Sequence, residues 1–118
     1  MDEPRIISAL AALAQETRLR IFRLLIRAGH DGLCVHAIAE QVAVAPATLS
    51  FHLKTLTQSG IVTAQSEGRY IRYSAHYETM TTLLRYLTEH CCGGLDCQHI
   101  VDGVDPARRC PPPGANPT

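Results

Sequence analysis

Apolar residues recur at helical spacing in two stretches over the first 28 residues of the chain. Ile6, Ile7, Leu10 and Leu13 form one stripe. After the polar Gln15-Glu16-Thr17, a second stripe runs through Leu19, Phe22, Leu25 and Ile26, widened by Ile21 and Leu24. Gly29 follows the last periodic residue and predicts a helix end, with a loop over residues 29–32. Residues 34–42 then place Val35, Ile38 and Val42 on one face. Residues 43–45 break the pattern, and Pro46 suits the first turn of a further helix, where a missing N–H is harmless. That helix buries Leu49, Leu53 and Leu56 and stops at Gly60. Two helices joined by so short a connection predict a helix-turn-helix.

The period then changes. Residues 61–77 are rich in β-branched and aromatic side chains, with Glu67-Gly68 in their middle, and predict a hairpin in which Gly68 supplies a positive φ. A last helix, about residues 78–91, carries Met80, Leu83, Leu84 and Leu87. The order is four helices, two strands and a fifth helix: a mainly α, α+β fold of the winged helix-turn-helix type. The first and last helices have no obvious partner within so small a domain, so their apolar faces predict a homodimer. Residues 1–102 form the predicted DNA-binding and sensor domain. Residues 103–118, dominated by proline, glycine and small side chains, predict a flexible tail.

Composition narrows the function. The 118 residues suffice for one small core, and a 46% hydrophobic content indicates a globular chain. Eleven basic and eleven acidic side chains cancel, so binding to nucleic acid has to rest on local clusters. The chain has no apolar run long enough for a membrane span, and the first residues lack the features of a secretory leader. Both observations predict a cytoplasmic protein with reduced thiols. Five cysteines, an odd number, also leave at least one outside any intramolecular pairing.

Two places carry candidate chemistry. On the helix from Pro46, a helical wheel sets Ala47, Phe51, Lys54 and Thr55 near the outer face, with Thr48, Ser50 and His52 toward its flanks. Small and hydroxyl side chains can approach base edges there, and the helix N-terminus favours a phosphate. Beyond the turn, Arg69, Tyr70, Arg72 and Tyr73 offer guanidinium and phenol groups to the DNA backbone or a minor groove. Strand alternation divides these four between two faces, so some belong to the core, and Arg69 at the tip is the best phosphate contact.

The second place is Cys91, Cys92 and Cys97. Soft thiolates select thiophilic ions, and three of them suit a pyramidal centre such as As(III) or Sb(III). Successive helical residues point about 100° apart, so Cys91 and Cys92 share an ion only if the helix ends. Gly93-Gly94 provides that end and lets the chain return with Cys97. A Cys91–Cys97 or Cys92–Cys97 disulfide acting as a redox switch, and a purely structural role, stay open. A thiol enzyme is the rival from another class, but the chain has no Cys-x-x-Cys pair near a βαβ pattern.

The segments ETRLRIFRLL, IAEQVAVAPATLSFHLKTLTQSGIV and EGRYIRYSA together resemble the ArsR/SmtB family of metal-sensing bacterial repressors. The hallmark is Ser50-x-His52-Leu53-Lys54-x-Leu56 followed by Gly60-Ile61-Val62. The resemblance implies a dimer that binds a palindromic operator and releases it on ligand binding. It also implies base reading from positions 47, 48, 50 and 51, and no organic cofactor. Pro46, Ala47 and Phe51 depart from the polar residues of many members, which implies more apolar base contacts, as with thymine methyls. Cys34-Val35-His36 keeps one thiol of a family arsenic motif. The family's zinc pattern falls on Ser74, His76, Leu87 and His90, and Leu87 cannot bind metal. TEHCCGGLDC resembles arsenite sensors with a Cys-Cys pair and a third Cys after the terminal helix. The expected function is therefore an As(III)- or Sb(III)-responsive repressor and not an enzyme. The alternatives are a thiol-based redox sensor or a methylarsenite-selective repressor of the same fold.

Overall fold

A computed structural model describes residues 2–94. Cys97, Cys110 and the predicted tail 103–118 lie outside the described residues. The described residues fall into two compact units that divide after Met80, within the last helix.

Helix α1 (Glu3–Leu13) starts where the Asp2 carboxylate accepts the Arg5 N–H at 3.2 Å. Helix α2 (Glu16–Ala28) starts in the same way on the Gln15 side chain and ends at Gly29, whose φ of 83° is left-handed. Strand β1 (Leu33–Cys34) leads directly into α3 (Val35–Val42). Helix α3 ends on Ala43, in the left-handed region at φ 52°, ψ 48°. Helix α4 (Pro46–Gln58) completes the helix-turn-helix, and β2 (Val62–Glu67) and β3 (Tyr70–Ala75) form the wing hairpin. Helix α5 (Tyr77–Thr88) is followed by a short 3₁₀ turn, Cys91–Gly94.

The sheet has three strands in the order β1-β3-β2, all antiparallel, where the sequence predicted only two. A two-residue strand carries no readable period. It forms because Gly32 lacks a Cβ, which would otherwise overlap the Tyr73 carbonyl. In the hairpin Glu67 pairs with Tyr70, so the two-residue loop is Gly68-Arg69, one position later than the sequence placed it. Gly68 takes φ 64° at the first loop position, as a type II′ turn requires.

Ile21, Leu25, Ile38, Leu49, Leu53, Leu56, Ile61 and Val62 are the fully buried centre of the first unit. Each contributes on the order of 1.5–3 kcal/mol of burial. On α1 the buried residues are Ile6, Ala9 and Ala12, whereas Ile7 (57% exposed) and Leu10 face outward. On α5 Leu87 is 54% exposed, with Leu84 also outward. Helix α5 ends three residues before the predicted Cys91, because His90 adopts φ 58° and cannot continue a right-handed helix.

Candidate nucleic-acid interface and thiol site

Helix α4 turns Leu49, His52, Leu53 and Leu56 inward, a single i, i+3, i+4, i+7 stripe. Ala47, Thr48, Ser50, Phe51 and Lys54 are exposed, and Phe51 is 62% exposed. Helix α4 has no acidic residue in its first turn, and its cap, Ala45, offers no side chain to the first N–H groups. Those N–H groups and the positive end of the helix are open to a phosphate. Thr55, half-buried, spends its hydroxyl on the Phe51 carbonyl at 3.1 Å.

His52 corrects the sequence reading. It is only 7% exposed, on the inner stripe, with Nδ1 3.3 Å from Nη1 of Arg18. Burial, and then the charge of Arg18, hold its pKa below the ordinary value of 6.5. His52 therefore faces the core and offers nothing directly to a base. Arg18 itself was missed. The available signal was a cation on α2's inner stripe, at i, i+3, i+4, i+7 with Ile21, Phe22 and Leu25. Its Nε donates to the Ala12 carbonyl at 2.7 Å.

On the wing, Arg69 is exposed in the loop and Tyr70 is exposed beside it. Arg72 is engaged elsewhere. Its Nε meets the Glu67 carboxylate at 3.1 Å, and its Nη1 donates to the Asp31 carbonyl at 3.0 Å. The guanidinium thus ties the wing to the loop before β1, which detracts from its expected part in DNA contact. Tyr73, paired with Leu33 of β1, is half-buried. A cleft of about 420 Å³ along α2, lined among others by Leu19, Arg23, Arg27 and Val42, contains none of these residues.

At the thiol site Cys91 is free and half-buried, and Cys92 is disulfide-bonded. Cys92 sits at φ 55°, ψ 36°, off the helical path, so the pair is released from the fixed angle of a continuing helix. Among the described residues no three His, Cys, Asp or Glu side chains group to hold an ion, and the third predicted ligand, Cys97, lies outside them. The histidines of the zinc pattern have other positions. Nδ1 of His76 accepts the Thr79 N–H at 3.1 Å and lies 2.6 Å from its hydroxyl, capping the start of α5. His90 occupies the left-handed position that follows the helix. Cys34 is a free, half-buried residue of β1, paired in register with Arg72.

A helix-turn-helix packed on a small sheet, with an exposed second helix and a two-strand wing, defines a winged helix-turn-helix protein of the DNA-binding class. A helix-turn-helix domain model matches residues 13–65. The chain is 33% identical over 81 residues to an arsenical resistance operon repressor of Bacillus subtilis, covering 69% of this chain and 73% of that one. It therefore belongs to the ArsR/SmtB family of regulators. A Halobacterium salinarum protein named for arsenical resistance operon repression is 37% identical over 67 residues, 57% of this chain and 51% of its own. A cadmium resistance transcriptional regulatory protein of Listeria innocua is 33% identical over 72 residues, 61% and 59% of the two chains. The chain thus spans little more than half the length of these last two relatives. A solution structure of a homodimeric winged helix-turn-helix DNA-binding domain from Mycobacterium bovis is 25% identical with a TM-score of 0.57, covering 75% of this chain and 82% of that one. These relatives are named as regulators, none as an enzyme. No helix among the described residues is long and apolar enough to cross a membrane.

Proposed function

We propose that the protein is a cytoplasmic repressor of an arsenical resistance operon. It binds a palindromic operator as a homodimer and lets go when As(III), or Sb(III), is held by Cys91, Cys92 and Cys97. The observation that carries the reading is the adjacent pair Cys91-Cys92 just past the last helix, with Cys92 on left-handed backbone, in a chain whose relatives are named for arsenical and cadmium resistance. Ala47, Thr48, Ser50 and Phe51 meet the bases, Lys54, Arg69 and Tyr70 the backbone. Exposed Ile7, Leu10, Leu84 and Leu87 supply the apolar faces for a second copy.

The donor chemistry fits the effector. Three thiols each lose a proton as sulfur bonds arsenic, and the three hydroxyls of arsenous acid leave as water. Cys92 has to be reduced first. Release then reflects the difference in effector affinity between the DNA-bound and free states, typically 1–3 kcal/mol. The disulfide at Cys92 favours a second reading, a thiol-based redox sensor of the same fold.

Operator mobility shifts separate the two, with arsenite added to the reduced protein in excess reductant and peroxide added after the reductant is removed. Release by arsenite, lost in Cys91→Ser, Cys92→Ser and Cys97→Ser, supports the three-thiol reading. Release by peroxide alone, with arsenite inert, rejects it in favour of the redox sensor. If Cys97→Ser still responds to methylarsenite(III), which needs two thiols, but not to arsenite, the third thiol is assigned to the inorganic form.

A further inference from the structure

We propose that Arg18 is a positioning residue that couples the end of α1 to the recognition helix α4, and that the coupling exists only while His52 is uncharged. This rests on the reading of α4 as the DNA-recognition helix. From the first turn of α2, one guanidinium reaches two other elements. Its Nε donates to the Ala12 carbonyl of α1 at 2.7 Å, and its Nη1 lies 3.3 Å from Nδ1 of His52 on α4. A guanidinium can only donate. Nδ1 must therefore carry the lone pair, which places the ring proton on Nε2. Protonation would set one N–H against another and one positive charge against another, in a place where His52 is almost closed to water.

Arg18 is the charge that acts on His52. From α1, Ser8, Ala11 and Ala12 lie beside Arg18, and from α4 Thr55 and Gln58, with Ser59 just past the helix end. None of these titrates near neutrality. The Phe51 ring lies 5.7 Å from the imidazole, centroid to centroid. Burial and the Arg18 charge both depress the pKa of His52. The cleft of about 270 Å³ that these residues line gives the guanidinium open space to turn into when the bond is lost. The outer side of α1 carries Ile7 and Leu10, proposed above to meet a second copy. Arg18 thus connects the helix proposed to meet a second copy to the helix proposed to read DNA.

The test uses the full reduced chain and a duplex that the wild type enriches from a random-sequence pool. Dissociation constants are measured by fluorescence anisotropy near pH 7.5 and near pH 5.5, with melting curves as a folding control. His52→Asn keeps an acceptor at the Nδ1 position but does not titrate, so it should bind like wild type near pH 7.5 and lose less affinity on acidification. Arg18→Leu and His52→Leu should bind roughly tenfold more weakly near pH 7.5, the effect of a lost hydrogen bond to a charged group, and share the shallower profile. If the leucine variants unfold, the comparison of wild type with His52→Asn decides alone. Identical pH profiles for those two overturn the inference and leave the reading of α4 standing. Failure of the wild type to enrich any duplex overturns that reading, and the inference with it.

Discussion

At the scale of single residues, two stripes have the same form: Arg18-Ile21-Phe22-Leu25 on α2 and Leu49-His52-Leu53-Leu56 on α4. Each is apolar except for one polar member, and those two members meet. The pH dependence of stability follows from the depressed pKa of His52. The unfolded imidazole binds a proton more readily than the folded one, so folding is favoured above the unfolded pKa of 6.5. That contribution is lost as the pH falls from 6.5 toward the lower folded value. Urea denaturation from about pH 7.5 to about pH 5.5 should show this loss in wild type and a flatter response in His52→Asn. Phe51→Ala, at an exposed position, should change stability by no more than about 0.5 kcal/mol while weakening operator binding in mobility shifts. The leucines of α4 were legible because apolar residues at helical spacing have one sensible face. His52 was not, because a polar side chain reads as outward until its buried partner is known.

At the scale of elements, two glycines and one alanine with positive φ should respond differently to substitution. Gly68→Ala has open space around it and carries only the backbone strain of a side chain at a position that favours glycine, about 1–3 kcal/mol. Gly32→Ala adds an overlap with the Tyr73 carbonyl and should cost about 3 kcal/mol or more, displacing β1 from the sheet. Ala43→Gly, in the turn between α3 and α4, should gain up to about 1 kcal/mol. Thermal melts of the three variants check the ranking. The wing was legible because alternation and a turn glycine coincide within a few residues. Strand β1 was not, since its existence depends on a neighbour 40 residues away in the chain, in the pairing of Leu33 with Tyr73.

At the scale of the whole molecule, zero formal charge removes any general attraction to DNA. The salt dependence of operator binding should then count local contacts. Arg69→Ala should reduce the slope of log K against log salt by roughly one for each protomer, as expected for a lost phosphate contact. The exposed face of α1 makes a separate prediction. Ile7→Glu should shift the protein toward monomer in sedimentation equilibrium with little change in helix content, because Ile7 is outside the protomer core. The helical faces were legible in outline, although the chain buries Ile6, Ala9 and Ala12 and leaves Ile7 and Leu10 outward. The ligand set was legible only as composition, and its third expected member, Cys97, lies outside the described residues.

The imidazole at the start of α5 has a consequence for selectivity. Nδ1 of His76 accepts the Thr79 amide, so the ring proton belongs on Nε2. A borderline ion such as zinc that claimed Nε2 would force the proton onto Nδ1, which could then no longer receive that amide. Such an ion would have to compete with the first turn of its own helix, whereas an ion that prefers sulfur leaves this nitrogen undisturbed. A hydrogen bond that serves the fold would thereby count against zinc at this ring without itself being a bond to any metal.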